Sequence, residues 1–326
     1  MSGATVDAHD VPVGRGPGDG SRAVAVGGGH GLSRCLLALT HVVDHVTAVV
    51  TAADDGGSSG RLRRELGVVP PGDLRMALTA MSPRRDLARL LQYRFDAGDM
   101  AGHSLGNLII VAMTDLAGGD LVAALDQVAA LLDVRGRVLP STTAQVQLAA
   151  RLEDGEVMTG QVKVARSHRV QRVWLEPGDA PATPQACRAI ARADLVVLGP
   201  GSLFTSVLPN LLVPEIAEAV TNAPAPVVHV ANLREQAGET EGLDQTAHLT
   251  ALLEHVPGLR LSAIIAHSGR RPLGEGEPLQ CDPETLARFA PLVLVDDLVG
   301  SVEGHEPRAL AALLADVLRR DRAGTA

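Results

Sequence analysis

Four strand-length apolar runs, Ala23–Val26, Thr47–Thr51, Leu195–Leu198 and Val227–Val230, each end in a knot of glycine, acidic, hydroxyl or amide residues. Helical patterns follow them. Continuous apolar runs of this length suit strands buried on both faces, and such strands belong to parallel sheets covered by helices. Strand and helix patterns alternate along most of the chain. This predicts the α/β class, with a doubly wound, mostly parallel, Rossmann-like sheet. In that architecture strand ends share one edge, so the knots are expected to gather there and form one site.

Residues 22–322 read as a single α/β domain. Residues 1–21 read as a disordered arm, because their glycines and prolines leave little to bury. A small antiparallel β insertion is expected at about 138–175. Within it, Gln145–Leu152 and Val157–Val164 alternate with period two around Glu153-Asp154-Gly155. Helices are expected at Leu108–Leu116 and Leu121–Leu132. Both are apolar almost all round, so both are expected to be buried. The first residues carry no apolar leader segment, and no apolar run approaches ~18 residues, so a cytoplasmic protein without membrane insertion is expected. The scattered Cys35, Cys187 and Cys281 read as reduced core thiols.

Composition narrows the function. A net charge of −9 opposes nucleic-acid binding through the general field. Aromatic residues are only 2%, so base stacking is nearly unavailable. Lys163 is the sole lysine, which removes any P-loop lysine.

The first knot, Gly27-Gly28-Gly29-His30-Gly31, opens a helix after a strand. It fails the G-x-G-x-x-G fingerprint because Leu32 stands at the last position, yet it can cradle a phosphate on backbone N–H groups. His30 can donate to that phosphate or cap the helix. The second knot reads Asp54-Asp55-Gly56-Gly57-Ser58-Ser59, then Arg61, Arg63 and Arg64. Either acid can hold a metal, bind ribose or sugar hydroxyls, or cap the following helix. Adjacent acids on extended chain point apart, which argues against a two-carboxylate dyad made from these two. Arg61 and Arg64 share a helical face and can reach a phosphate. Asp73, in Pro70-Pro71-Gly72-Asp73, is explained by helix capping, and Arg75 is a weaker site candidate.

Gly102–Asn107 carries His103, Ser104 and Asn107. It is not a nucleophile elbow; Ser104 suits a cap, and Asn107 a hydrogen bond to ligand or a neighbouring loop. Gly199-Pro200-Gly201-Ser202, with Thr205, forms a third cradle. Asn232 and Gln236 are amides suited to reading a base or sugar.

Together the strings GGGHGLS, VVTAADDGGSSGRLRRELGVVPPGDLR, GHSLGNLI, LGPGSLFTSVLPNLLVPEI and NLREQAGET resemble the YvcK family of bacterial gluconeogenesis factors, within the superfamily of 2-phospho-L-lactate transferase, CofD. The resemblance covers about Ala23 to Leu318. It implies binding of a nucleotide sugar, UDP-N-acetylglucosamine, without an established reaction, and a regulatory role in cell shape and wall synthesis on gluconeogenic carbon sources. It leaves room for a homodimer and for wall-synthesis partner proteins. The runner-up is a CofD-like transferase of a phospho-lactyl-type group, with Mg²⁺ on Asp54 or Asp55. The family usually has Thr where His30 stands. Its C-terminal Arg-His-Asp element reads Gly304-His305-Glu306 here, and Phe289 stands where a tyrosine is expected. The resemblance places Phe289 and His305 on the nucleotide-base side of the site.

Overall fold

The computed structural model describes residues 12–269, 278–279, 281–300 and 304–324. Strand β1 (Arg22–Gly27), helix α1 (Gly29–Leu39) and β2 (His45–Val50) open the domain. Helices α2 (Gly57–Leu66), α3 (Gly72–Met81), α4 (Arg85–Gln92), α5 (Leu105–Leu116) and α6 (Leu121–Leu131) precede β3 (Gly136–Pro140). Next come β4 (Gln147–Leu152), β5 (Val157–Thr159), α7 (Gln161–Arg166) and β6 (Val170–Glu176). The rhythm resumes with α8 (Pro184–Ala191) and β7 (Leu195–Leu198). A π turn, Leu203–Val207, then runs into α9 (Leu208–Leu211) and α10 (Pro214–Thr221). The chain ends through β8 (Val227–Val230), α11 (Gln245–His255), β9 (Ala263–His267), α12 (Pro283–Leu286), β10 (Leu292–Asp296) and α13 (Pro307–Arg322).

Seven strands form one sheet in the order β10-β9-β8-β7-β1-β2-β3, and every pairing in it is parallel. From β1 the chain winds outward to β3. It then returns to β7, on the other side of β1, and winds the opposite way. The reversal falls between β1 and β7, where ligands bind in doubly wound sheets.

Alternate strand residues feed separate cores. Val24, Val26, Val49, Val196 and Leu198 face one, and Ala23, Ala25, Ala48, Leu195 and Val197 the other. Burial on both faces is why these strands read as unbroken apolar runs. The expected class and the small antiparallel sheet (order β5-β4-β6) are both present.

Four local expectations need correction. The insertion starts after Pro140, not at 138, because Val138–Pro140 pair with β2 in the main sheet. The second alternating run stops at Gly160, whose φ of 116° only glycine adopts readily, and α7 follows. Helix α5 is buried only at Gly106, Asn107 and Ile110, and Leu116 is 81% exposed. It packs on α3, α4 and α6 rather than on the sheet, so one face suffices. Residues 12–21, expected within the arm, are tied down. The Gly14 and Gly16 amides donate to Thr40, and those of Gly18 and Gly20 donate to the Asp44 carboxylate. Residues 1–11 lie outside the described residues.

Candidate functional site

The knots line up on the carboxyl edge of the sheet in strand order: 52–59 after β2, 28–31 after β1, 199–202 after β7 and 231–240 after β8. The two glycine loops touch. A Cβ on Gly31 would strike the Pro200 carbonyl, so only glycine lets α1 start against the second loop. Asn232 fixes that loop from the far side, its Oδ1 accepting from the Gly201 N–H at 3.0 Å.

Asp73 is the residue that the sequence undervalued. Its carboxylate lies against Gly28, where any Cβ would collide with it, and it accepts from the Gly29 N–H. An internal carboxylate therefore already occupies part of the anion cradle at the start of α1. Removal from water, and then the charge of Asp54, push the Asp73 pKa up to about 7. Asp54 points the same way: Gly72, at the start of α3, lies between its Oδ2 and the Ser59 hydroxyl. Burial raises the Asp54 pKa, opposed by hydrogen bonds from the Gly56 N–H and Ser59. The paired acids are thus Asp54 and Asp73, not neighbours in sequence.

Asp55 faces elsewhere. Its Oδ1 accepts from the Val162 N–H at 2.8 Å, in the first turn of α7. It ties the small sheet to the second knot. Arg61 also turns from the cleft, donating to the Ala101 and Asp99 carbonyls at 2.6 and 3.1 Å. Arg63 is the arginine that senses the acids, since Asp55 and Asp54 offset the lowering of its pKa by burial.

His103, Ser58 and Asn107 form a buried chain. Ser58 Oγ lies 3.0 Å from His103 Nδ1 and accepts from Asn107 Nδ2 at 3.0 Å. Arg75 Nε donates to Asn107 Oδ1 at 2.9 Å and Nη1 to Gln92. Ser104 caps α5 through the Asn107 N–H. These residues, expected near a ligand, brace α2 and α3 beneath the acids. Burial lowers the Arg75 pKa to about 10, within the range where it stays charged.

On the opposite wall Ser202 and Thr205 do not offer free hydroxyls. Both bond the buried Glu239, and Thr205 also donates to Ser202 Oγ at 2.6 Å. Burial pushes the Glu239 pKa up to about 7. Gln236 Oε1 is buried and has no partner among the described residues. Beneath this loop His229, Gln245 and His248 are buried, with ring or amide atoms that have no partner among the described residues. Burial, then His248, lowers the His229 pKa to about 4. The signals were a histidine inside the apolar run Val227–Val230 and the second acid, Glu239, of the NLREQAGET string.

His30 is exposed at the first turn of α1, while Gly56 and Gly57 lead into α2. His305 lies buried under the Asn232 loop, Nε2 at 3.0 Å from the Ala231 carbonyl, and burial lowers its pKa to about 4. Phe289 does not join the site. It precedes β10, hence sits at the amino edge of the sheet, and packs into the core. Among the described residues no cluster of three or more His, Cys, Asp or Glu could hold a metal. No single helix among them is long and apolar enough to cross a membrane.

Paired glycine loops at the reversal of a doubly wound parallel sheet, walled by acids, define a Rossmann-like α/β protein with its cleft at the carboxyl edge of the sheet. The family model of 2-phospho-L-lactate transferase CofD matches residues 23–293. The gluconeogenesis factor of Bacillus subtilis is 42% identical over 90% of this chain and 96% of its own. The gluconeogenesis factor of Halalkalibacterium halodurans is 42% identical over 78% of each. A crystal structure of a UPF0052-family protein from Bacillus halodurans superposes with a TM-score of 0.84 at 37% identity, covering 90% of this chain and 98% of that one. The chain belongs to the CofD family, among its gluconeogenesis factors.

Proposed function

We propose that the chain is a regulatory protein that binds a UDP-sugar, UDP-N-acetylglucosamine, at the carboxyl edge of the sheet. Its role is in cell shape and wall synthesis during gluconeogenic growth in the cytoplasm. A homodimer and wall-synthesis partner proteins belong to the same reading. The junction of the two glycine loops at the start of α1 supports it: the N–H groups of Gly31 and Ser202 can take a diphosphate, and that of Gly29 joins them where phosphate displaces the Asp73 carboxylate, while the Gly201 N–H is held by Asn232. Asn232 and Gln236 supply amides for base or sugar. Phe289 takes no part.

Asp73 adds a condition. A diphosphate at the start of α1 meets its carboxylate, so close approach needs that carboxyl protonated or its charge offset by a cation. Asp54 and Asp73, with the Ser59 hydroxyl, suit magnesium, which takes one or two carboxylates plus phosphate oxygens and water. The ion would supply charge neutralisation between the acids and the phosphates. This paired-carboxylate geometry also favours a second reading, a CofD-like transferase of a phospho-lactyl-type group.

Calorimetry with UDP-N-acetylglucosamine, UDP-glucose and GDP, with and without Mg²⁺, separates the two. Binding of the UDP-sugar without turnover is the expected result. No binding of any UDP-sugar would sink the regulatory reading. Turnover of a nucleotide conjugate that depends on Mg²⁺ and is lost in Asp54→Asn would establish the transferase.

A further inference from the structure

At the amino edge of the sheet, opposite the glycine loops, lies a cavity of about 470 Å³. Its floor is Val24 of β1, Thr47 of β2 and Leu139 of β3. One wall is a single stripe of α8 and the residue after it: Gln185, Arg188, Ala189 and Arg192. These positions are three, four and seven apart, so they share one helical face. Arg22, His45 and Arg137 complete the rim from the starts of the three strands, Arg22 and His45 being register partners.

The lining contains four arginines and no Asp or Glu, in a chain whose net charge is −9. Arg137 is paired with Asp126. Among the described residues no ion pair involves Arg22, Arg188 or Arg192. The nearby Asp194 accepts from the Arg22 backbone N–H and stands outside the lining. The start of α8 is explained without these arginines, since Ala186 and Ile190 bury its other face. The helix dipole favours cations near the end of α8, yet it does not explain arginines converging from strands as well.

We propose that this cavity is a second ligand site, which takes a small phosphorylated metabolite. Guanidinium forks bind phosphate bidentately, and the half-buried Thr47 and Ala189 give a surface for a short carbon skeleton. The volume lies within the usual range for small-molecule sites, about 300–1,000 Å³. Apart from Thr47, the lining has no hydroxyl or thiol nucleophile, and His45 is its only imidazole. The site therefore binds rather than reacts, and the ligand acts as an effector. It stands at the opposite ends of the strands β1 and β2 that carry Gly28 and Asp54, about 20 Å away at the rise of a six-residue strand.

The test is calorimetry on the full chain with inorganic phosphate and glycerol 3-phosphate, repeated in saturating UDP-N-acetylglucosamine and in the variant R188E/R192E. The expected result is saturable binding of glycerol 3-phosphate that UDP-N-acetylglucosamine does not displace and that the variant weakens at least tenfold. Both replaced side chains are exposed, and a thermal melt of the variant verifies its fold. Arg22→Glu, at the strand rim, should weaken binding as well and guards against a defect local to α8. Failure of both probes to saturate, binding unchanged in R188E/R192E and R22E, or displacement by UDP-N-acetylglucosamine would each overturn the proposal. The charge-reversal comparison remains decisive even if no UDP-sugar binds at the carboxyl edge.

Discussion

The two walls of the cleft are built alike and held differently. Each has a glycine loop, and each holds a carboxyl whose pKa is pushed to about 7, the half-buried Asp73 on one side and the buried Glu239 on the other. Asp73 sits among charges: burial raises its pKa most and Asp54 raises it further, while the Gly29 N–H and Arg75 oppose the rise. Glu239 sits among hydroxyls, with burial alone raising its pKa. The first carboxyl should respond to whatever ion enters the cleft. The second should respond mainly to bulk pH and to folding.

The largest effect should come from forcing the walls apart. Gly31→Val drives a branched side chain into the Pro200 carbonyl, and overpacking of this kind costs about 1–3 kcal/mol. The melting temperature should drop by about 2–4 °C for each kcal/mol. UDP-sugar affinity should fall by about a hundredfold if the whole cost falls on the bound geometry. An unchanged melt and unchanged binding would show that the loops do not need each other.

Next, the two acids should separate in pH titrations. A carboxyl with a raised native pKa holds its proton more tightly when folded. Its contribution is therefore full below the unfolded value and is lost as pH rises through the native one. For Glu239 that window runs from 4.5 to about 7. Glu239→Gln should gain on the wild type in melts between pH 5 and pH 8, by about 2 kcal/mol. Asp73→Asn should act on the ligand instead. In wild type without Mg²⁺, UDP-sugar affinity should fall about tenfold between pH 6 and 8, as Asp73 loses its proton. The Asp73→Asn variant should be flat over that range, and the Glu239→Gln variant should keep the slope. Equal slopes in both variants would erase the distinction between the walls.

The smallest effect should be at Asp55. Asp55→Ala removes an acceptor from the start of α7 and should cost about 1 kcal/mol, measured by urea denaturation. Ligand affinity should stay put, whereas Asp54→Ala should change its Mg²⁺ dependence. A large affinity loss in Asp55→Ala with stability intact would return Asp55 to the cleft.

The fold and the edge that carries the site were legible because periodicity and strand ends are local properties. Ala23–Val26 and Leu195–Leu198 announced buried parallel strands, and the knots after them were bound to share an edge. The partners within that edge were not legible. Asp55 and Asp54 are chemically identical in sequence; only the placement of α7, far along the chain, decides which one turns inward. Asp73 looked like a cap because its contact, Gly28, is distant in sequence. His103, Asn107 and Arg61 are polar residues beside glycines, the usual mark of a site, yet their bonds go inward or to a neighbouring loop. Phe289 was placed at the site by the family resemblance alone; it precedes β10, and residues that precede a parallel strand lie at the amino edge.

Helix α7 touches both walls. It receives Asp55 at Val162, and its end lies so close to Gly238 that a Cβ there would strike the Ala165 carbonyl. A crossbeam bonded to one wall and packed on the other opposes a clamshell opening. Opening the cleft about the β1–β7 seam would cost the Asp55–Val162 bond or the Gly238–Ala165 packing, so entry along the trough from its side is the expected route. The association rate should then depend on guest size and charge, with no slow gating phase.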